Sequence, residues 1–296
     1  MAKILFEKPR DYKGMLTDTT VWDDFALRPD DIIVDTPPKC GTTWMLNIVM
    51  MLIHGKPVPD AGGSQHVPWL DCTFRDRATM VEFLDGLDRL RCIKSHTPMD
   101  GIPYAAAPTY IVVYRHPVDM HFSMQTHAAN MKHDWLDYMF EGGDRVGFKR
   151  FLEFPETEGG TDDLTLAALV NHYRQARGRK ARGNVHFFHY ADMTADLPGQ
   201  VRRLAQILAI DLPDSQLDAI VEATTFATMR KAVETSERRF HKDTPFHDLA
   251  MFYASGSSGK WDGKLTARDM QAFDEKLATL LPPEEAHWLC WGDRGR

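Results

Sequence analysis

Asp31-Ile32-Ile33-Val34-Asp35-Thr36-Pro37-Pro38-Lys39-Cys40-Gly41-Thr42-Thr43-Trp44 is the stretch on which the fold turns. Its first five residues form a short β-branched run of the kind that fills a buried parallel strand, and prolines and a glycine then interrupt it. From residue 42 to 54 the apolar positions Trp44, Met45, Ile48, Val49 and Leu52 recur at helical spacing, with Thr42 or Thr43 suited to open the helix. A strand, a loop and a helix N-terminus follow one another. Unpaired N–H groups and the positive end of the helix dipole favour an anion there, and Lys39 with the hydroxyls of Thr42 and Thr43 adds charge and donors. The loop is not a Walker A motif, which puts its lysine after the last glycine; here Lys39 precedes Gly41. That disfavours a nucleoside-triphosphate kinase.

Outward from this unit, residues 90–94, 110–114 and 185–189 read as further buried strands, and Arg115-His116-Pro117 opens a helix running towards Met131. Helical patterns cover 164–180, 197–208, 213–223 and 267–281. The alternation predicts an α/β fold, a largely parallel sheet flanked by helices. No linker composition divides the 296 residues, so 1–296 reads as a single domain. A chain 43% hydrophobic and 26% charged is not a disordered one. With 35 basic against 42 acidic residues, a net charge of -7 argues against a broad nucleic-acid or anionic-membrane surface. Charges and Pro9 arrive before a secretory signal could form, and no run reaches the ~20 apolar residues of a membrane span, so a cytoplasmic protein without membrane partners is expected. Cys40, Cys72, Cys92 and Cys290 lie too far apart for a ligand cluster, and reduced thiols are expected. His116, His121, His127 and His133 do not repeat at the i, i+4 spacing of a helical metal site; they read as structural or surface residues, with no metal implied.

Pro38-Lys39-Cys40-Gly41-Thr42-Thr43-Trp44 resembles the PKSGTTW loop of the cytosolic-type sulfotransferases that use 3′-phosphoadenosine-5′-phosphosulfate (PAPS), with Cys40 where that family has serine. The resemblance makes this a P-loop-like unit that binds the phosphosulfate end, and other landmarks follow collinearly from about Ile32 to Trp261. Lys94-Ser95-His96 is similar to the family's KTH segment, which implies His96 as general base and Lys94 beside the transferring group. A neutral imidazole suits that task at neutral pH. Arg115 and Ser123 match the residues that grip the 3′-phosphate; an ion pair of Arg115 with Asp119 is the structural alternative. Tyr190-Ala191-Asp192-Met193 and Thr224-Thr225-Phe226 resemble segments near the adenosine, with Trp44 and Phe226 as stacking rings and Tyr190 and Thr224 as hydroxyl donors.

Phe252 to Trp261 resembles the C-terminal RKGxxGxW loop, but Ala254-Ser255 replaces its basic pair. That leaves Ser255, Gly256 and backbone N–H groups to face the 3′-phosphate, with Lys260 nearby as a substitute charge. The resemblance implies sulfuryl transfer from PAPS to a small-molecule acceptor, an alcohol or phenol before an amine, with adenosine 3′,5′-bisphosphate as product and Lys39 at the bridging oxygen. A nucleotide kinase and a non-catalytic nucleotide-binding regulator are the rival readings. The first thirty residues and segments 55–88 and 132–163 lack family landmarks and are expected to build the acceptor pocket, with Trp69, Phe74, Phe83, Trp135, Tyr138 and Phe140 as candidates. The family's dimerisation motif is absent, so no oligomeric state is implied.

Overall fold

The computed structural model describes residues 1–60, 62–63, 66–88, 90–157, 162–242, 244–253 and 256–293. Among them six strands form: β1 (Ile4–Phe6), β2 (Ile32–Asp35), β3 (Cys92–Ser95), β4 (Tyr104–Ala105), β5 (Thr109–Tyr114) and β6 (Val185–His189). The central sheet has the order β3-β2-β5-β6 and is parallel throughout, with Val34 opposite both Lys94 and Ile111 and Tyr114 opposite His189. Alternate residues of one strand serve opposite faces. Ile32, Val34, Ile111 and Val113 pack against the helices Thr42–His54, Leu197–Ile207 and Asp214–Ala223. Ile33, Ile93, Tyr110, Val112 and Tyr114 pack against Pro117–Ala129, Leu166–Lys180 and Ala267–Leu280 on the other side. The expected helix-flanked parallel sheet is therefore present, with both faces covered.

Three expectations need correction. The helix after β2 is opened by Gly41 rather than by Thr42 or Thr43, because Gly41 adopts a left-handed φ of 112° that only glycine takes without strain. A Cβ there would also stand 3.3 Å from the Tyr190 ring. β3 begins at Cys92, because Arg91 belongs to a polar junction at the strand entrance. Finally, β1 and β4 pair antiparallel outside the main sheet, and the helices Arg77–Asp85, Asp144–Glu153, Phe226–Glu234 and Pro283–Trp291 add to those the patterns mark.

At that junction Arg91 is 1% exposed and donates from Nε and Nη2 to the two oxygens of Asp31, each at 2.6 Å, and from Nη1 to Asp85 at 2.9 Å. Asp31 also accepts the Arg28 N–H at 2.7 Å. The pair ties the entrances of β2 and β3, and so their register. Removing one partner strands a buried charge, so Arg91→Met is expected to cost about 3–5 kcal/mol. Urea unfolding checks this, and the Asp31→Asn, Arg91→Met double variant should lose less than the sum of the singles.

Candidate active site

Because the four strands run parallel, their C-terminal ends share one edge of the sheet, and the loops leaving them converge there. β2 ends at Asp35; the Thr36 N–H donates to the Ser95 carbonyl at 3.3 Å, carrying the β2–β3 pairing one residue further. The chain then turns, with Lys39 itself in the left-handed region at φ 64°. The Cys40 N–H closes onto the Pro37 carbonyl, and the Thr42 hydroxyl meets that of Thr36. Cys40 is fully buried and its thiol is pushed up to about 12 by burial, so it packs as a small apolar side chain. Thr42 is buried and Thr43 half-buried in the first helical turn, where N–H groups have no intrahelical partner. Trp44 donates from Nε1 to the Thr224 carbonyl at 2.8 Å.

One residue past β3, the His96 Nδ1–H donates to the Thr36 carbonyl at 2.6 Å. That fixes the tautomer: Nε2 keeps its lone pair. Burial first, and then the charge of Lys94, hold the imidazole well below its ordinary value, so it is neutral. The indole of Trp69 meets the ring edge-on at 4.8 Å, and the Lys94 ammonium lies 4.5 Å from the Trp69 ring. Burial lowers Lys94 to about 8. Both residues flanking His96 are held by Asp71, which is buried and accepts from the Ser95 hydroxyl at 2.7 Å, the Thr97 hydroxyl at 2.9 Å and Trp22 Nε1 at 3.1 Å. Asp71 is 24 residues from Ser95 in sequence and carries no motif.

The Lys39 ammonium donates to Nδ1 of His127 at 3.2 Å and lies 5.0 Å from the face of Phe252. Burial, then the charges of Lys260, Arg115 and Lys94, lower it to about 7. Four cations therefore share this edge. Arg115, at the end of β5, is 5% exposed; it donates from Nη2 to the Ser257 carbonyl at 2.7 Å, and its guanidinium stacks 4.2 Å from the Tyr190 ring centre. Its Nε is buried with no partner among the described residues. A buried guanidinium with an unused N–H beside other cations is suited to a phosphate. Asp119 does not pair with Arg115; it accepts the N–H groups of Gly259 and Lys260 at 3.3 and 2.9 Å. This draws Lys260 in, and burial and Arg115 lower its ammonium to about 8.

The other sequence candidates divide. Ser123 is half-buried on the helix that follows Arg115. The Tyr190 ring lies beneath Arg115 and 5.4 Å from Trp44. Thr224 is fully buried and its hydroxyl donates to the Ile220 carbonyl at 2.8 Å, so its carbonyl, holding Trp44, is what reaches the site. Gly256, at φ 60°, backs onto Phe226 so closely that a Cβ would stand 2.6 Å from the ring. Ser255 lies outside the described residues, as does Ala254. Of the aromatic candidates, Trp69 is brought to His96, and Phe74 meets Trp135 at 5.3 Å. Tyr138 is 52% exposed. Phe140 packs against His121, and Phe83 sits on the helix whose end meets Arg91 at the opposite edge of the sheet. His116 caps the helix after β5 and stacks on Trp261, while His121 lies buried among phenylalanine rings, so both are structural as expected. His127 packs between Phe246 and Phe252 and also contacts Lys39. No grouping of His, Cys, Asp and Glu suited to a metal occurs among the described residues.

A neutral imidazole, a partly desolvated lysine and a cluster of cations thus lie at the mouth of a parallel sheet. A glycolipid sulfotransferase of Mycobacterium bovis is 30% identical over 312 aligned positions, covering 96% of this chain and 95% of that one. A dog enzyme, sulfotransferase 1B1, is 25% identical over 264 positions. A mouse sulfotransferase solved with PAP superposes with a TM-score of 0.68 at 20% identity, covering 92% of each chain. Retinol dehydratase, solved with androsterone and PAP, does so at 0.70 and 18% identity, covering 93% of this chain and 91% of that one. These two show a shared fold. The sulfotransferase domain model matches residues 29–281, from just before β2 to the end of the helix Ala267–Leu280, and with it the chain belongs to the sulfotransferase family.

Proposed function

We propose that the protein transfers the sulfuryl group of PAPS to an acceptor hydroxyl, with His96 as general base. The observation that carries this reading is the bond from His96 Nδ1 to the Thr36 carbonyl, which leaves Nε2 as a lone-pair acceptor beside the anion-binding loop. His96 takes the hydroxyl proton on Nε2 as the acceptor oxygen bonds to sulfur; the bond from sulfur to the bridging oxygen breaks, and the 5′-phosphate leaves with that electron pair. Lys39 neutralises charge growing on the bridging oxygen, and Lys94 faces the sulfuryl oxygens. Thr42, Thr43 and the first N–H groups of the helix hold the 5′-phosphate. Arg115, Ser123 and Lys260 take the 3′-phosphate with N–H groups near Gly256, which supplies the charge that Ala254 and Ser255 lack. Trp44 and Phe226 flank the adenine.

The relative at 30% identity, a glycolipid sulfotransferase, supports a sugar hydroxyl as acceptor, with Trp69 as the apolar wall beside the base. Among the described residues no helix is long and apolar enough to cross a membrane. A cytoplasmic setting goes with this reading, and the four cysteines are buried and unbridged.

In an assay of labelled sulfuryl transfer from PAPS to an alkyl glycoside, His96→Ala is expected to lower kcat by ~10²- to 10⁴-fold, the usual contribution of a positioned base. Its affinity for adenosine 3′,5′-bisphosphate should stay within a small factor of wild type. Unchanged turnover would remove His96 from the mechanism.

Lys39 gives a pH signature. Its ammonium, lowered to about 7, is increasingly neutral in the free protein above that pH, whereas a bound bisphosphate favours the charged form. Binding above pH 7 is therefore expected to take up a fraction of a proton at Lys39, and affinity to fall as pH rises through that range. Calorimetry in two buffers of different ionisation enthalpy, repeated with Lys39→Ala, measures the uptake and assigns it.

A further inference from the structure

We propose that His127 is a positioning residue for Lys39, its ring nitrogen holding the ammonium where the bridging oxygen leaves. The inference rests on the reading of Lys39 given above. A lysine side chain is a charge on a flexible four-carbon stem, and a group that stabilises a transition state must be fixed before the reaction. Here the stem is pinned at both ends. Its backbone is locked in the left-handed turn at φ 64°, and its tip is held by His127 Nδ1 at 3.2 Å, with the Phe252 ring 5.0 Å away. His127 is itself wedged by Phe246 at 5.0 Å and Phe252 at 5.2 Å. It sits in the last turn of the helix Pro117–Ala129, whose first turn follows Arg115, so a single rigid element sets both cations.

The chemistry of the acceptor matters as much as its place. A carboxylate at this position would cancel the charge that the leaving oxygen needs. A neutral imidazole accepts one N–H of the ammonium and leaves its charge intact, with two further N–H groups for the departing oxygen. His127 is neutral because burial first, and then the Lys39 charge, lower it to about 3. The other charged groups facing Lys39 are Lys260, Arg115 and Lys94, and those facing His127 are Lys39 and Lys94. All of them are cations, so loss of the ring acceptor leaves Lys39 facing like charges with only the Phe252 ring beside it, which favours its neutral form.

The test compares His127→Leu, which keeps bulk and removes the acceptor, with His127→Gln, which returns a neutral oxygen; His127→Met replaces the leucine variant if that one does not fold. The apolar variant is expected to lower kcat for transfer from PAPS by about 10- to 100-fold, as displacement of a catalytic group does, while the bisphosphate Kd at pH 6.5 stays within about 3-fold. Its proton uptake on binding should begin at lower pH than in wild type, and glutamine should recover most of both. An apolar variant with wild-type kcat, or a glutamine variant no better than the apolar one, overturns the proposal. Lys39→Ala runs alongside: if it keeps full turnover, the reading of Lys39 falls and this inference with it. If it loses turnover and the apolar variant does not, only the inference falls.

Discussion

One backbone residue, Thr36, ties the site together. Its N–H continues the pairing of β2 with β3 through the Ser95 carbonyl, and its own carbonyl takes the Nδ1–H of His96. Its hydroxyl meets Thr42, the first residue of the helix that follows. His96 at one strand end and the loop from Pro37 to Gly41 at the next are thereby fixed to each other through a single residue. Asp71 extends this support by holding Ser95 and Thr97 on either side of His96.

Charge is handled in the same economical way. Lys39, Lys94, Arg115 and Lys260 come from four separate segments; after burial, the charges of the other three lower Lys39, which has no carboxylate among its neighbours to quench them, and Arg115 lowers Lys260. Asp119, the nearest acid in sequence to Arg115, is turned to backbone N–H groups instead. An arrangement of this kind is unfavourable by itself and becomes favourable when an anionic substrate enters, which concentrates binding energy on the donor. The chain as a whole is acidic, with a net charge of -7, so this cluster stands against the overall sign of the protein.

The sequence made legible what local chemistry determines. The β-branched runs that became β2 and β5 and the valine and phenylalanines of β6 were readable because a buried parallel strand favours such side chains, and the helix from Thr42 was readable from its apolar spacing. β1 and β4, three and two residues long, carry too little pattern to register, and the entrance of β3 was obscured by Arg91, whose burial makes sense only once Asp31 stands opposite. At the site, the loop from Pro38 to Trp44 was readable because its residues act together over seven positions. His127 was not, since 88 residues separate it from Lys39 and a histidine in a helix looks the same whether it holds a lysine or fills a core. Thr224 shows the converse: its type suggested a hydroxyl donor, and its backbone carbonyl is what reaches Trp44.

The central claim is that His96 is a neutral imidazole protonated on Nδ1 alone, with Nε2 open to the acceptor. Nitrogen NMR of protein labelled at histidine, with the His96 resonances assigned by their loss in His96→Ala, tests this directly between pH 5 and 8. The account requires one protonated nitrogen, Nδ1, and a ring that stays neutral across that range. A ring that becomes doubly protonated near its ordinary pKa, or that carries its single proton on Nε2, would contradict it.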